Sequence, residues 1–193
     1  MMNYPTLKKN TFTSTTYHGN RGMGLENDIN NSNKYYLDND IAIIHKKPTP
    51  ITIAKVDYPS RLKAVIKEGY FKTPSTTDYN GIYRGKYVDF EAKETKNKSF
   101  PLTNIHIHQI EHLKKITKHG GIGFVIVRFT SLNETYLIMA EKIFEFIDND
   151  LKKSIPYDYF KNNAFMIKNT FNPLVDYLKI IDKEYFGGTY EKI

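Results

Sequence analysis

The sequence predicts a domain of α/β or α+β class, in which helices cover a mixed sheet. Three observations carry this expectation. The run Ile122 to Thr130 (IGFVIVRFT) is nearly continuous in apolar residues, as a central strand buried on both faces should be. Ahead of it, Ile107, Ile110, Leu113 and Ile116 line one side of a helix over 104–118, with Gly120-Gly121 as its stop signal. Earlier still, apolar Val88, Phe90 and Ala92 alternate with charged Asp89, Glu91 and Lys93, the period of a strand with two unlike faces.

The other elements follow in chain order. Residues 1 to about 20 are rich in Thr, Asn and Lys without periodicity, which predicts a flexible arm over 1–19. Leu25, Ile29 and Tyr36 predict a helix over about 22–37, a poor one by propensity because of its asparagines. Strands are expected over 41–47 and 51–56, divided by Pro48-Thr49-Pro50, and again over 64–72 after the turn Tyr58-Pro59-Ser60-Arg61. Pro74-Ser75-Thr76-Thr77 leads into Asp78, and the short Arg84-Gly85-Lys86 segment lets the strand carrying Asp78 fold back beside the one carrying Glu91. A polar loop over 96–101 precedes the helix at 104–118. After the central strand come a strand over 135–139 and a helix over 140–148 with Ile143, Phe144 and Ile147 inward. Residues 160–171 are aromatic but irregular, and a closing helix is expected over 173–185. With 193 residues, no internal repeat and no shift of composition, 20–193 is expected to be one domain.

Composition limits the function classes. The absence of Cys excludes disulfides, thiol catalysis and cysteine-ligated zinc or iron–sulfur centres. No apolar stretch approaches the roughly 20 residues that span a bilayer, and the N-terminus lacks the apolar core of a secretory signal, so a cytoplasmic protein without membrane contact is expected. The net charge of +7 suits a polyanionic partner. Its distribution says more: Lys46, Lys47, Lys55, Arg61, Lys63, Lys67 and Lys72 face only Asp57 and Glu68 between 44 and 72, interleaved with Tyr58, Tyr70 and Phe71. Such a stretch can neutralise phosphates and stack on unpaired bases, or it can be a generic basic surface with its rings turned inward.

The chemistry concentrates in Asp78, Glu91 and Lys93. Residues two apart on a strand share a face, so Glu91 and Lys93 stand side by side, and a hairpin brings Asp78 to them. Two acidic oxygen donors and an ammonium can hold Mg²⁺ beside a phosphate, although a solvated charged strand face has the same pattern. Thr76, two residues before Asp78, is a further oxygen donor or simply part of a turn. His108 and His112 lie four apart on one helical face, as two metal ligands would, but no third His or Cys sits at a fitting offset. Neither a phosphate-binding P-loop, a dinucleotide fingerprint nor a nucleophile elbow occurs.

The acid, then acid-x-lysine arrangement resembles the PD-(D/E)xK nuclease superfamily, and longer stretches narrow it. Asn20-Arg21-Gly22-Met23-Gly24-Leu25-Glu26, Ile44-His45-Lys46-Lys47-Pro48-Thr49-Pro50, Thr76-Thr77-Asp78-Tyr79-Asn80-Gly81-Ile82-Tyr83, Asp89-Phe90-Glu91-Ala92-Lys93-Glu94-Thr95-Lys96 and His108-Gln109 together resemble the RecU family of Holliday junction resolvases, in family order over about 19–185. The resemblance implies a restriction-endonuclease-like core with a protruding β stalk over about 58–77, and a homodimer that nicks opposing strands of four-way or branched DNA in recombination and repair. It implies Mg²⁺, with Mn²⁺ as a substitute, held by Thr76, Asp78, Glu91 and Gln109. Lys93 falls on the transition-state position, and with Asp78 and Glu91 makes the catalytic set. Arg21, Lys46, Lys47, Arg61 and the stalk residues Tyr70, Phe71 and Lys72 fall on DNA-binding positions. A RecA-type recombinase is a further implied partner. Gly24 departs from the larger residue of many relatives, the loop over 96–100 is about one residue short, and the region after Asp150 matches least. The alternatives are a non-catalytic architectural protein that binds junctions, and a general nuclease of the same superfamily.

Overall fold

A computed structural model describes residues 24–60, 63–72, 76–149 and 152–188. The predicted arm, Arg21, Arg61 and Pro74-Ser75 lie outside the described residues. Among the described residues, ten strands and five helices follow one another as α1 (Leu25–Asp38), β1 (Ile43–Lys46), β2 (Ile51–Asp57), β3 (Val65–Phe71), β4 (Tyr79–Tyr83), β5 (Lys86–Thr95), β6 (Ser99–Pro101), α2 (Ile107–Lys118), β7 (Ile122–Phe129), β8 (Glu134–Met139), α3 (Ala140–Asn149), β9 (Ser154–Pro156), α4 (Tyr157–Asn163), β10 (Phe165–Ile167) and α5 (Leu178–Phe186).

Six strands form the central sheet in the order β1-β4-β5-β7-β8-β10. All neighbours are antiparallel except β5 and β7, whose parallel pairing requires a crossover, and α2 supplies it. The mixed α/β class is therefore as expected, and β7 is the buried central strand that its apolar run predicts. One face packs against α1 and α5 through Leu25, Ile29, Val88, Phe90, Phe124, Tyr177 and Ile181. Tyr79, Phe90 and Phe124 stack across three adjacent strands with centroids 4.8 and 4.7 Å apart. The opposite face packs against α2, α3 and α4 through Leu113, Val125, Val127, Ile143, Phe146 and Phe160.

Two of the four asparagines of α1, unfavourable by propensity, accept bonds from core tyrosines. Tyr79 Oη donates to Asn30 Oδ1 at 3.1 Å, and Tyr177 Oη donates to Asn33 Oδ1. Two termini differ from expectation: the second helix starts at Ile107 after a 3₁₀ turn over Leu102–Asn104, and the closing helix starts at Leu178 rather than 173. The stretch read as irregular holds β10, the sixth strand of the sheet, and the end of α4.

β2 and β3 form a separate two-stranded ribbon. No residue of either strand is buried, and Ile51, Ile53, Val65, Ile66, Tyr70 and Phe71 are all exposed. The ribbon starts at Ile51, so its first strand precedes the 58–77 span expected for the stalk. Ile51 pairs with Phe71, which puts Tyr70, Phe71 and Lys72 at its base. Tyr58 and Ser60 lie nearer its tip.

Candidate active site

The β4–β5 hairpin turns at Arg84-Gly85, both with positive φ, 46° and 76°. Its register pairs Tyr79 with Phe90 and Asn80 with Asp89, which sets Asp78, in the bend just before β4, opposite Glu91. Gly81 makes the assembly possible, because a Cβ there would meet the Ile43 carbonyl oxygen and come within 2.6 Å of the Ile44 Cα of β1. Along β5, Val88 and Phe90 enter the core on one face while Asp89, Glu91 and Lys93 face the α2 side. Helix α2 covers that side. It carries its own capping box, in which the His106 N–H donates to Gln109 Oε1 at 2.9 Å.

Glu91 is completely buried. Gln109 Nε2 donates to its Oε2 at 2.5 Å, and Lys93 Nζ lies 2.9 Å from its Oε1. That ion pair falls outside hydrogen-bonding geometry, so Oε1 is a buried oxygen without a hydrogen bond. Burial pushes the Glu91 carboxyl up from 4.5 to about 7; hydrogen bonding to Asp78 adds to the rise and the Lys93 ammonium opposes it. Two close carboxyls, one of them buried and met by a single ammonium, are the condition that a bound cation relieves. Among the described residues no three or more His, Cys, Asp or Glu converge as a metal site. The protein thus offers two carboxylates, leaving further positions for water and a phosphate, which suits a hard oxygen-binding ion such as Mg²⁺. Gln109 touches Glu91 through its amide nitrogen, since its oxygen is turned to the helix start. Thr76 is half-buried in a bend, not on a strand face, and its hydroxyl turns to the Thr77 carbonyl at 3.4 Å.

The sequence reading missed a second carboxylate group beside the first. Asp89 is fully buried. Its Oδ2 receives Lys47 Nζ at 2.9 Å, Tyr87 Oη at 2.9 Å and His112 Nε2 at 3.2 Å, and its Oδ1 receives the Thr77 hydroxyl. Lys47, expected on a DNA-binding surface, is thus mostly engaged inside, whereas Lys46 is at the surface, paired with Glu26 at 2.5 Å. His112 faces Asp89 while His108 stacks on His106 with centroids 5.3 Å apart, so the two histidines do not form the ligand pair their spacing allowed. The signal for Asp89 was present: it shares a strand face with Glu91 and Lys93.

The arrangement places Asp78, Glu91, Lys93 and Gln109 together, with Thr76 in the adjoining bend. Tyr70, Phe71 and Lys72 stand apart on the ribbon, exposed. Lys47, which precedes the ribbon in the chain, and Asp78, which follows it, meet beside the site, because the Lys47 N–H donates to the Asp78 carbonyl at 2.7 Å.

The whole chain has close relatives. A Holliday junction resolvase RecU of Leuconostoc mesenteroides is 53% identical, with 94% of this chain and 96% of that one covered. A protein of the same name from Bacillus cytotoxicus is 51% identical over 94% and 90%, and one from a Geobacillus species is 55% identical over 88% and 87%. Among solved structures, the Holliday junction resolvase Hjc of Archaeoglobus fulgidus aligns with a TM-score of 0.43 and 8% identity over 70% of this chain and 93% of that one. The family model described as recombination protein U matches residues 20–183, and with relatives at about half identity over nearly the full length, this chain belongs to the RecU family.

Proposed function

We propose that this chain is a Mg²⁺-dependent endonuclease, active as a homodimer, that resolves four-way DNA junctions by paired nicks in recombination and repair. The observation that carries the chemistry is Glu91: a buried carboxylate facing Asp78 and Lys93, with one oxygen left without a hydrogen bond. Asp78 and Glu91 would hold the cation, with Thr76 and Gln109 supporting the shell directly or through water. A divalent ion there, Mg²⁺ or Mn²⁺ in its place, supplies activation of the attacking water and neutralisation of the phosphate. Lys93, one-quarter exposed, keeps an ammonium at the mouth of the site, where it steadies charge that develops on a phosphate. Gln109 fixes Glu91 by donating to its Oε2, while Oε1 faces Lys93.

None of these groups reads bases. Selection of a branched substrate therefore rests on geometry: a two-fold dimer presents two equivalent sites to a near-symmetric junction. The exposed ribbon, with Tyr70, Phe71 and Lys72 at its base, is the surface suited to unstacked bases and phosphates. Residues 20–193 act as one nuclease domain in this reading.

The test incubates purified protein with a synthetic four-way junction and with linear duplex, in Mg²⁺ or in chelator, for wild type and Asp78→Ala. Paired symmetric nicks on the junction alone, lost in chelator and in the variant, are expected. Equal cutting of linear duplex would indicate a general nuclease. Junction binding without metal-dependent nicking, unchanged in Asp78→Ala, would indicate an architectural protein.

A further inference from the structure

We infer that Asp89 is a positioning residue for the metal site, acting through the bend that presents Asp78. The inference rests on the reading of Asp78 and Glu91 as the metal-holding pair, and it begins from a contrast between two buried carboxylates on one strand face. Glu91 has an oxygen without a hydrogen bond, facing Asp78 and Lys93. Asp89 has both oxygens occupied by donors: Thr77 on one, and Lys47, Tyr87 and His112 on the other. With four donors on its two oxygens, this carboxylate is engaged by the protein itself. Its work is done on its partners.

Those partners belong to the elements that frame the site. Thr77, only 2% exposed, is the residue immediately before Asp78. Lys47, just past β1, reaches the Thr77 hydroxyl at 3.1 Å as well as Asp89, while its backbone N–H donates to the Asp78 carbonyl at 2.7 Å. Asp78 is thus fixed by its own carbonyl and by its neighbour's hydroxyl, both held by one lysine that Asp89 anchors. His112 lies three residues beyond Gln109 on α2, one turn along the same face. Its bond to Asp89 holds the helix at the spacing from β5 at which Gln109 meets Glu91. The bend before β4 has no strand partner to hold it at Asp78, since the β4 ladder begins at Tyr79. Hydrogen bonds from Asp89 and Lys47 do what the ladder does elsewhere.

The test measures Mn²⁺ binding to the full-length protein by calorimetry without DNA, alongside junction binding in chelator and the kcat and KM of nicking. Thr77→Val removes the hydroxyl while preserving shape and leaving Asp89 three donors, so the fold is retained; Thr77→Ser restores the hydroxyl. Asp89→Asn is the second variant. Mn²⁺ affinity is expected to fall at least about 10-fold in Thr77→Val and Asp89→Asn, as for residues that orient metal ligands. Junction affinity in chelator should not change, kcat should fall at subsaturating metal, and Thr77→Ser should recover. Folded Thr77→Val with wild-type Mn²⁺ affinity overturns the inference. If wild type itself binds no Mn²⁺, or Asp78→Asn binds it as well as wild type, the reading of the metal pair has failed and this inference falls with it. Loss in Asp78→Asn without loss in Thr77→Val overturns the role of Asp89 alone.

Discussion

Glu91→Gln should stabilise the metal-free protein at high pH while abolishing nicking. An isolated Glu ionises near 4.5, whereas burial and the neighbouring Asp78 push Glu91 up to about 7. The folded state therefore holds a proton in that interval which the unfolded chain releases. Stability is greatest when the carboxyl is neutral in both states and declines as pH rises from about 4.5 through 7. At about 1.4 kcal/mol per tenfold change in proton affinity, the metal-free protein is less stable by about 3 kcal/mol once Glu91 is fully ionised. Glutamine keeps the volume and acceptor but carries no charge, so the variant lacks this decline. The attraction of Lys93, which opposes the rise, is already contained in the value of about 7. Urea unfolding in EDTA at pH 5 and pH 8 measures the effect. The stability difference, variant minus wild type, should rise by about 2–3 kcal/mol between the two pH values, since part of the loss has already occurred at pH 5. A difference equal at pH 5 and pH 8 would refute the argument that Glu91 is strained by burial and Asp78.

Further outcomes follow from the same structure. Saturating Mg²⁺ at pH 8 should raise the melting temperature of wild type but not of Glu91→Gln, by calorimetry. Lys93→Met should lower kcat by at least about 100-fold, as loss of a group stabilising developing charge does, and leave junction affinity in chelator intact by gel shift. Joint replacement of Tyr70 and Phe71 by Ala should change unfolding free energy by no more than about 0.5 kcal/mol, because both rings are exposed. The same double variant should weaken junction binding by about 1–3 kcal/mol per stacked ring. Gly81→Ala should force β1 away from β4 and, because Lys47 follows β1, weaken metal binding as well as stability, measured by denaturation and calorimetry.

Which parts were legible depends on whether one period settles a residue's surroundings. The apolar run of β7 and the i, i+3 pattern of α2 have one interpretation each, and both elements appear within a few residues of their expected limits. β5 has two interpretations, because Asp89, Glu91 and Lys93 would alternate with Val88 and Phe90 whether their face met water or a helix. Only α2, placed there by the parallel crossover, turns that face inward. The same limit applies to α1: Asn30 and Asn33 look like helix weaknesses until Tyr79 and Tyr177 arrive from distant sequence to bond them. β10 has three residues, too few to show a period, yet it completes the sheet. The ribbon misleads in the other direction, since Ile51, Ile53, Val65 and Ile66 have the composition of core strands and remain exposed.

The position of the strained carboxylate is itself constrained. A buried acid set against a second carboxyl weakens its strand unless the surroundings hold the strand by other means, and β5 is held three ways. It lies between β4 and β7 in the centre of the sheet, its Phe90 is stacked between Tyr79 and Phe124, and Asp89, two residues away, is a buried charge with every oxygen bonded. An edge strand would yield and let the carboxyl turn to water, which would lower its affinity for a cation. Replacing Phe90 with Ala should therefore cost about 3–5 kcal/mol of stability by loss of packing. At a temperature where that variant is still folded, it should also return the Glu91 pKa toward 4.5, measurable by carboxyl-carbon NMR. A Phe90→Ala protein that remains folded with Glu91 still near its wild-type value would show that the strain is set locally, by Asp78 and α2, without the core.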